Sequence, residues 1–307
     1  MTEQLSSPRA PAPAPSDRRP RGPVLVRALR VRQWTKNLLV LGAPLAAGRI
    51  AEPHVLAGAV VAVLTFCAAS ASVYLVNDVL DVESDRRHPV KRLRPIAAGE
   101  LSVPFALSLS LLLAATAVFA AFAWSTPFGL TVLTYLAVQA AYTGGLKHQP
   151  AIDLAVVSAG FLLRAVAGGT ATDIPLSPWF LFVAAFGSLF MVAGKRYSEI
   201  RHLGAAAATR RSLQDYSESY LRFIWTMAAG VTVVVYLLWA LNGTHGSPQL
   251  GWGPISAAPF VLGLLRYAAD IDRGTAESPE EIVLSDRHLQ VIGLVWLVTL
   301  ALHATVG

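Results

Sequence analysis

Apolar runs of about twenty residues recur along this chain, and that length matches the hydrocarbon core of a bilayer. Inside such a core every backbone N–H and C=O must be paired within the protein, which leaves helices or closed barrels. With 54% of its 307 residues hydrophobic and only 14% charged, the chain has too many of these runs for a soluble core. Spans are expected near 37–50, 55–77, 104–123, 127–143, 151–170, 178–194, 222–241, 252–268 and 288–305. The expected fold class is therefore an all-α polytopic membrane protein with nine transmembrane helices.

Lysine and arginine set the expected orientation. All but two of the 25, Arg49 and Arg164, lie before the first span or around the loops that follow spans two, four, six and eight. Positive loops stay in the cytoplasm, so the N-terminus is expected inside and the C-terminus outside. The net charge of +6 then reflects topology and anionic substrates or headgroups, with no nucleic acid implied. Residues 1–22, rich in Pro, Ala, Ser and Arg, read as a disordered cytoplasmic tail without a signal peptide, and 23–307 as one catalytic domain. The single Cys67 excludes a disulfide framework and reads as packing.

The segment Asn77-Asp78-Val79-Leu80-Asp81-Val82-Glu83-Ser84-Asp85 puts acids directly after an apolar span, with Arg86, Arg87, Lys91, Arg92 and Arg94 just beyond. Acid at a membrane helix end is costly and usually functional, the plain alternative being an acidic loop followed by topogenic basic residues. If the helix runs through it, Tyr74, Asn77, Asp81 and Asp85 share one stripe of oxygen-bearing side chains. Mg²⁺ takes few protein carboxylates and completes its shell with water and substrate phosphates, so the stripe suggests a magnesium-bound diphosphate.

Other polar positions end at the same membrane face. Lys36 abuts the first apolar run, where it serves either as a positive anchor or as a phosphate contact. Lys147 follows the pair Gly144-Gly145, which either ends a helix or lets backbone approach a ligand. Arg164, deep within the fifth span, is expected to face a polar cavity and an anion, since Asp153 lies three turns away. The sixth span closes in Gly194-Lys195-Arg196-Tyr197-Ser198-Glu199, where Lys195 and Arg196 can reach inward. Residues 201–218 and the acids from Asp270 to Asp286 read as solvated loops.

The pattern Asn-Asp-x-x-Asp-x-x-x-Asp at the end of the second span resembles the first acidic motif of the UbiA-type prenyltransferase superfamily. The phrases Tyr74–Val79, His88–Gly99, Gly145–His148 and Phe190–Tyr197 are similar to its branch that transfers 5-phosphoribose to decaprenyl phosphate. The resemblance runs from about Arg30 to the end. It implies nine helices around a cavity open to the cytoplasm, and phosphoribosyl diphosphate and a polyprenyl phosphate as substrates. It further implies a multi-pass place in the inner (plasma) membrane, and a lipid product that feeds arabinan synthesis for the cell wall. Where ordinary members carry a second Asp-rich motif after the sixth span, this chain has Lys195 and Arg196. A diphosphate and two monophosphates bring more anions than a prenyl diphosphate does, and cations suit them.

On this reading Asn77, Asp78, Asp81 and Asp85 form the catalytic set. Asn77 and Asp81 ligate Mg²⁺, and Asp85 or Asp78 orients its waters. Tyr74, Lys36 and Lys91 are donor contacts, with Lys147, Arg164, Lys195 and Arg196 at the phosphates. The rival readings are an aromatic prenyltransferase using an isoprenyl diphosphate and an anionic-lipid transporter. Lipid chain length and a homo-oligomeric state stay open.

Overall fold

The computed structural model describes residues 22–203, 216–242 and 251–306, and every regular element among them is helical. The expected tail, 1–22, lies outside these residues apart from Gly22, as does most of the loop expected over 201–218. The α-helices are α1 (Val24–Ala28), α2 (Gly42–Ala46), α3 (Pro53–Leu80), α4 (Val82–Arg87), α5 (Val103–Trp124) and α6 (Thr126–Gly144). They continue with α7 (Ile152–Thr172), α8 (Pro178–Leu203), α9 (Glu218–Asn242), α10 (Trp252–Asp272), α11 (Pro279–Ser285) and α12 (Arg287–Val306).

Proline and serine set several of the starts. Pro53 opens α3 after an extended Glu52, and Pro127 sits in the first turn of α6, where Ser125 Oγ accepts the Phe128 N–H at 3.3 Å. A proline there gives up an N–H that no helical carbonyl could have used.

Five helices are long and apolar enough to cross a membrane: α3, α5, α7, α8 within Pro178–Arg201, and α9 within Glu218–Leu241. The chain is a multi-pass membrane protein. The other four expected spans fall on shorter or less apolar helices. Span 127–143 is α6 with 19 residues, 252–268 is α10 with Pro259 inside it, and 288–305 is α12 with 20 residues.

The first span departs from a plain α-helix. Val31–Leu41 is an 11-residue 3-10 helix that leads into the five residues of α2. At about 2.0 Å per residue in the first part and about 1.5 Å in the second, sixteen residues reach about 30 Å, where an α-helix would fall short. Pro44 has no N–H to give the Val40 carbonyl, its α-helical acceptor. That carbonyl instead meets α7 at Gly168, where a Cβ would lie 2.0 Å from Val40 O. The approach is close enough for a Cα–H···O contact and leaves no room for a side chain. Gly58 does the same for α3, its notional Cβ being 2.4 Å from Ala171 O.

The two largest of four hydrophobic clusters among the described residues meet along α7. Phe66, Phe128, Val132, Tyr135 and Ala167 pack α3, α6 and α7 together with Val40. Leu154, Phe190, Tyr197, Leu221 and Ile271 pack the other end of α7 against α8, α9 and α10.

Candidate active site

The acidic motif sits where α3 gives way to α4. The helix does not run straight through: Asp81 leaves α-helical geometry with φ −92° and ψ 4°, and α4 restarts after it. Spacing nevertheless carries across, since Asp81 N–H donates to Asn77 O at 2.9 Å and Asp85 N–H to Asp81 O at 2.8 Å. The expected stripe of Tyr74, Asn77, Asp81 and Asp85 does not stay together: Asn77 and Asp81 share one set of neighbours, while Asp85 joins Asp78, which lay outside the stripe.

Asn77 and Asp81 turn toward the end of α6. Thr143 Oγ1 donates to Asn77 Oδ1 at 2.6 Å, and Lys147 Nζ lies 3.1 Å from Asp81 Oδ1. Gly145, with φ 153°, makes the turn that brings Lys147 round. An L side chain seldom adopts that φ, so this glycine serves the turn. Asp81 stays 37% exposed at its side chain.

Asp78 and Asp85 are buried and share one arginine. Arg94 Nη1 lies 3.1 Å from Asp78 Oδ1 and 2.6 Å from Asp85 Oδ2. Arg30 adds a second bond to Asp78, and Lys91 Nζ stands 3.9 Å from Asp85. Arg30 also lies over the Tyr74 ring, 5.0 Å from its centroid, and adopts the left-handed φ of 51°. Arg27 pairs with Glu100 at 2.5 Å, so basic residues of the N-terminal segment tie it down beside the motif. Lys36 is half-buried on the 3-10 helix.

Arg164 is 5% exposed and engages neutral partners. Its Nε donates to Asn37 Oδ1 at 2.9 Å, Nη1 to Gly160 O at 2.8 Å and Nη2 to Tyr135 OH at 3.0 Å. The rings of Phe66, Tyr135 and Phe161 lie against it. Asn37 in turn donates to Cys67 Sγ and Ser70 Oγ, both at 3.3 Å. Where a polar cavity was expected around Arg164, the structure has a bond network linking the first span to α3, α6 and α7.

Asp153 pairs instead with α8. Arg196 Nε lies 3.5 Å from Asp153 Oδ2, while Arg196 Nη1 lies 3.1 Å from Glu199. Tyr142 OH donates to Asp153 at 2.9 Å and Tyr216 OH at 3.3 Å. Burial, reinforced by the negative Asp153, holds the Tyr216 hydroxyl well above the ordinary tyrosine range, so it remains a donor. Lys195 is more open, 39% exposed and 4.0 Å from Glu199. The cations expected to replace a second acidic motif are thus partly offset by Asp153 and Glu199.

Sequence spacing set Arg94 beside the acids without making it their partner and missed Thr143 and Tyr142 as parts of this region, and it weighed Asp153 only as an Arg164 partner. Their one linear signal is that Tyr142, Thr143 and Lys147 crowd a single helix end.

Among the described residues no three His, Cys, Asp or Glu side chains gather as a metal cluster. An amide and a carboxylate oxygen one turn apart still fit a hard cation that borrows its remaining ligands from substrate and water. A separate cavity of about 350 Å³ lies between α7, α8 and α9, lined by Ala155, Ala159, Leu162, Phe186 and Ile224 among others. Its lining is apolar apart from groups such as Ser158, whose buried Oγ has no bonding partner among the described residues.

The helical bundle and its motif belong to a known class: the chain is a member of the UbiA prenyltransferase family, whose sequence model matches residues 38–289. Within it, the chain is 49% identical over 288 residues to the decaprenyl-phosphate phosphoribosyltransferase of Mycolicibacterium smegmatis, covering 90% of this chain and 91% of that protein. The enzyme of the same name from Mycobacterium tuberculosis is 48% identical, covering 92% and 95%. A UbiA homolog from Archaeoglobus fulgidus bound to DMAPP and Mg²⁺ shares the fold at TM-score 0.69 and 16% identity, covering 92% of this chain and all of that one.

Proposed function

We propose that this protein transfers 5-phosphoribose from phosphoribosyl diphosphate to decaprenyl phosphate, releasing diphosphate, at the cytoplasmic face of the plasma membrane. One observation carries the reading: the Asn77–Asp81 oxygen pair stands against Lys147, so sites for a cation and for phosphate adjoin. The names of the mycobacterial relatives point the same way.

Mg²⁺, held by Asn77 and Asp81, would neutralise the charge of the departing diphosphate. Lys147 is the nearest cation and is set to exchange Asp81 for a phosphate oxygen. Tyr74 and Lys91 border the motif and, with Lys36 of the first span, serve the donor, while Lys195 serves a monophosphate. Loss of diphosphate leaves positive charge at the anomeric carbon, and the lipid phosphate oxygen attacks it from the opposite face. That nucleophile is already anionic and needs no general base, so catalysis is positioning and electrostatics. Arg164 and Arg196, bonded within the protein, act by holding the frame. The apolar cavity beside Leu154 offers the isoprenoid chain a lining that matches it.

The test is turnover by purified protein in detergent with Mg²⁺, decaprenyl phosphate and labelled phosphoribosyl diphosphate, with a chelator control. Labelled lipid that disappears with chelator is the expected result. Prenylated product from an isoprenyl diphosphate and aromatic acids, with no labelled lipid, overturns it.

A further inference from the structure

The Asn77 amide can offer its oxygen to a cation only if something fixes its rotation, because an amide turned about its last bond offers N–H groups instead. The structure contains one such device. Thr143 Oγ1 lies 2.6 Å from Asn77 Oδ1 and 2.9 Å from Gln139 O, with one proton for two acceptors. Donation along the shorter contact pins Oδ1 on the α6 side and leaves its second lone pair for a ligand, whereas donation to Gln139 O would let the amide turn an N–H to Thr143. The turn carrying Thr143 is itself anchored, since the neighbouring Tyr142 bonds Asp153 at 2.9 Å.

We propose that Thr143 is a positioning residue for the cation site, setting the Asn77 amide so that its oxygen, with Asp81, faces the bound metal. The inference rests on the Asn77–Asp81 reading of that site. Partners of this kind orient metal ligands and keep them from rotating away.

The test is Mn²⁺ binding, followed by electron paramagnetic resonance, to the full-length protein in detergent with inorganic diphosphate present. Thr143→Val keeps the shape and removes the hydroxyl; Thr143→Ser keeps the hydroxyl. Mn²⁺ binds T143V about ten- to a hundredfold more weakly than wild type, and T143S within about twofold of it. Thermal midpoints stay together, and in turnover the Mg²⁺ requirement of T143V rises while kcat recovers at saturating Mg²⁺. T143V affinity equal to wild type overturns the proposal, as does equal weakening in T143S. Should valine unfold the protein, Thr143→Ala carries the same comparison. Undiminished Mn²⁺ binding by Asp81→Ala would overturn the site reading itself, independently of Thr143.

Discussion

Asp81 and Asp85 stand four residues apart, yet the structure gives their amides opposite consequences. In Asp81→Asn the loss is one partly exposed ion pair with Lys147, its side chains 37% and 26% exposed. Such pairs contribute about 0–1 kcal/mol. In Asp85→Asn the loss is a carboxylate 2% exposed at its side chain, held by Arg94 at 2.6 Å. Breaking a buried pair costs about 3–5 kcal/mol, chiefly from the charge left behind. Arg94 keeps Asp78 at 3.1 Å and is not orphaned, so the low end, about 3 kcal/mol, applies. At about 2–4 °C per kcal/mol for a chain of this order of size, D85N loses about 6–12 °C of thermal midpoint and D81N less than about 4 °C. Tryptophan-fluorescence melts of both variants in one detergent, at one heating rate, measure the difference. Turnover moves the other way, D81N falling by about a hundredfold or more while folded. A D85N midpoint equal to wild type, or a D81N midpoint as low as D85N, would refute the split of the motif into a ligand pair and an arginine-held pair.

Arg164→Met strands Asn37 Oδ1 and Tyr135 OH, at about 1–3 kcal/mol for each unsatisfied group, so the midpoint drops while KM for phosphoribosyl diphosphate holds. A raised KM at an unchanged midpoint would instead put Arg164 at the substrate. Gly168→Ala gains up to about 1 kcal/mol of helix propensity but drives Cβ to 2.0 Å from Val40 O, and overpacking costs about 1–3 kcal/mol. A net loss of midpoint is expected, and a gain would show that the 3-10 helix yields. Chelation abolishes turnover reversibly without lowering the midpoint, because two protein oxygens contribute little to folding; turnover in excess chelator counts against the metal. Ala159→Phe fills the apolar cavity and should raise KM for decaprenyl phosphate more than for a short-chain analogue; equal effects would count against the cavity as the chain's lining.

Helical spacing is a rule about neighbours on one element, and the legible parts of this protein are those it governs. Asn77 and Asp81 are one turn apart, and despite the break at Asp81 their partners Thr143 and Lys147 lie together, at the end of α6 and in the turn that follows it. The same arithmetic separates Arg164 from Asp153, and the two find different partners. What spacing cannot supply is a partner from elsewhere in the chain. Arg94 comes from a loop after α4, so Asp85 joins Asp78 rather than Asn77 and Asp81. A charge inside a span is read as needing a countercharge or an anion, but Asn37 Oδ1, a carbonyl and a tyrosine hydroxyl satisfy Arg164 with three neutral acceptors. Pro44 removes a donor from the first apolar run, a signal that the spacing argument did not use. Its effect depends on Gly168, more than a hundred residues later, letting α7 reach the Val40 carbonyl. Long-range closure thus decides which polar groups within a membrane bundle are already bonded, and groups left half-exposed, Asp81, Lys91, Lys147 and Lys195 among them, are those a charged substrate can still recruit.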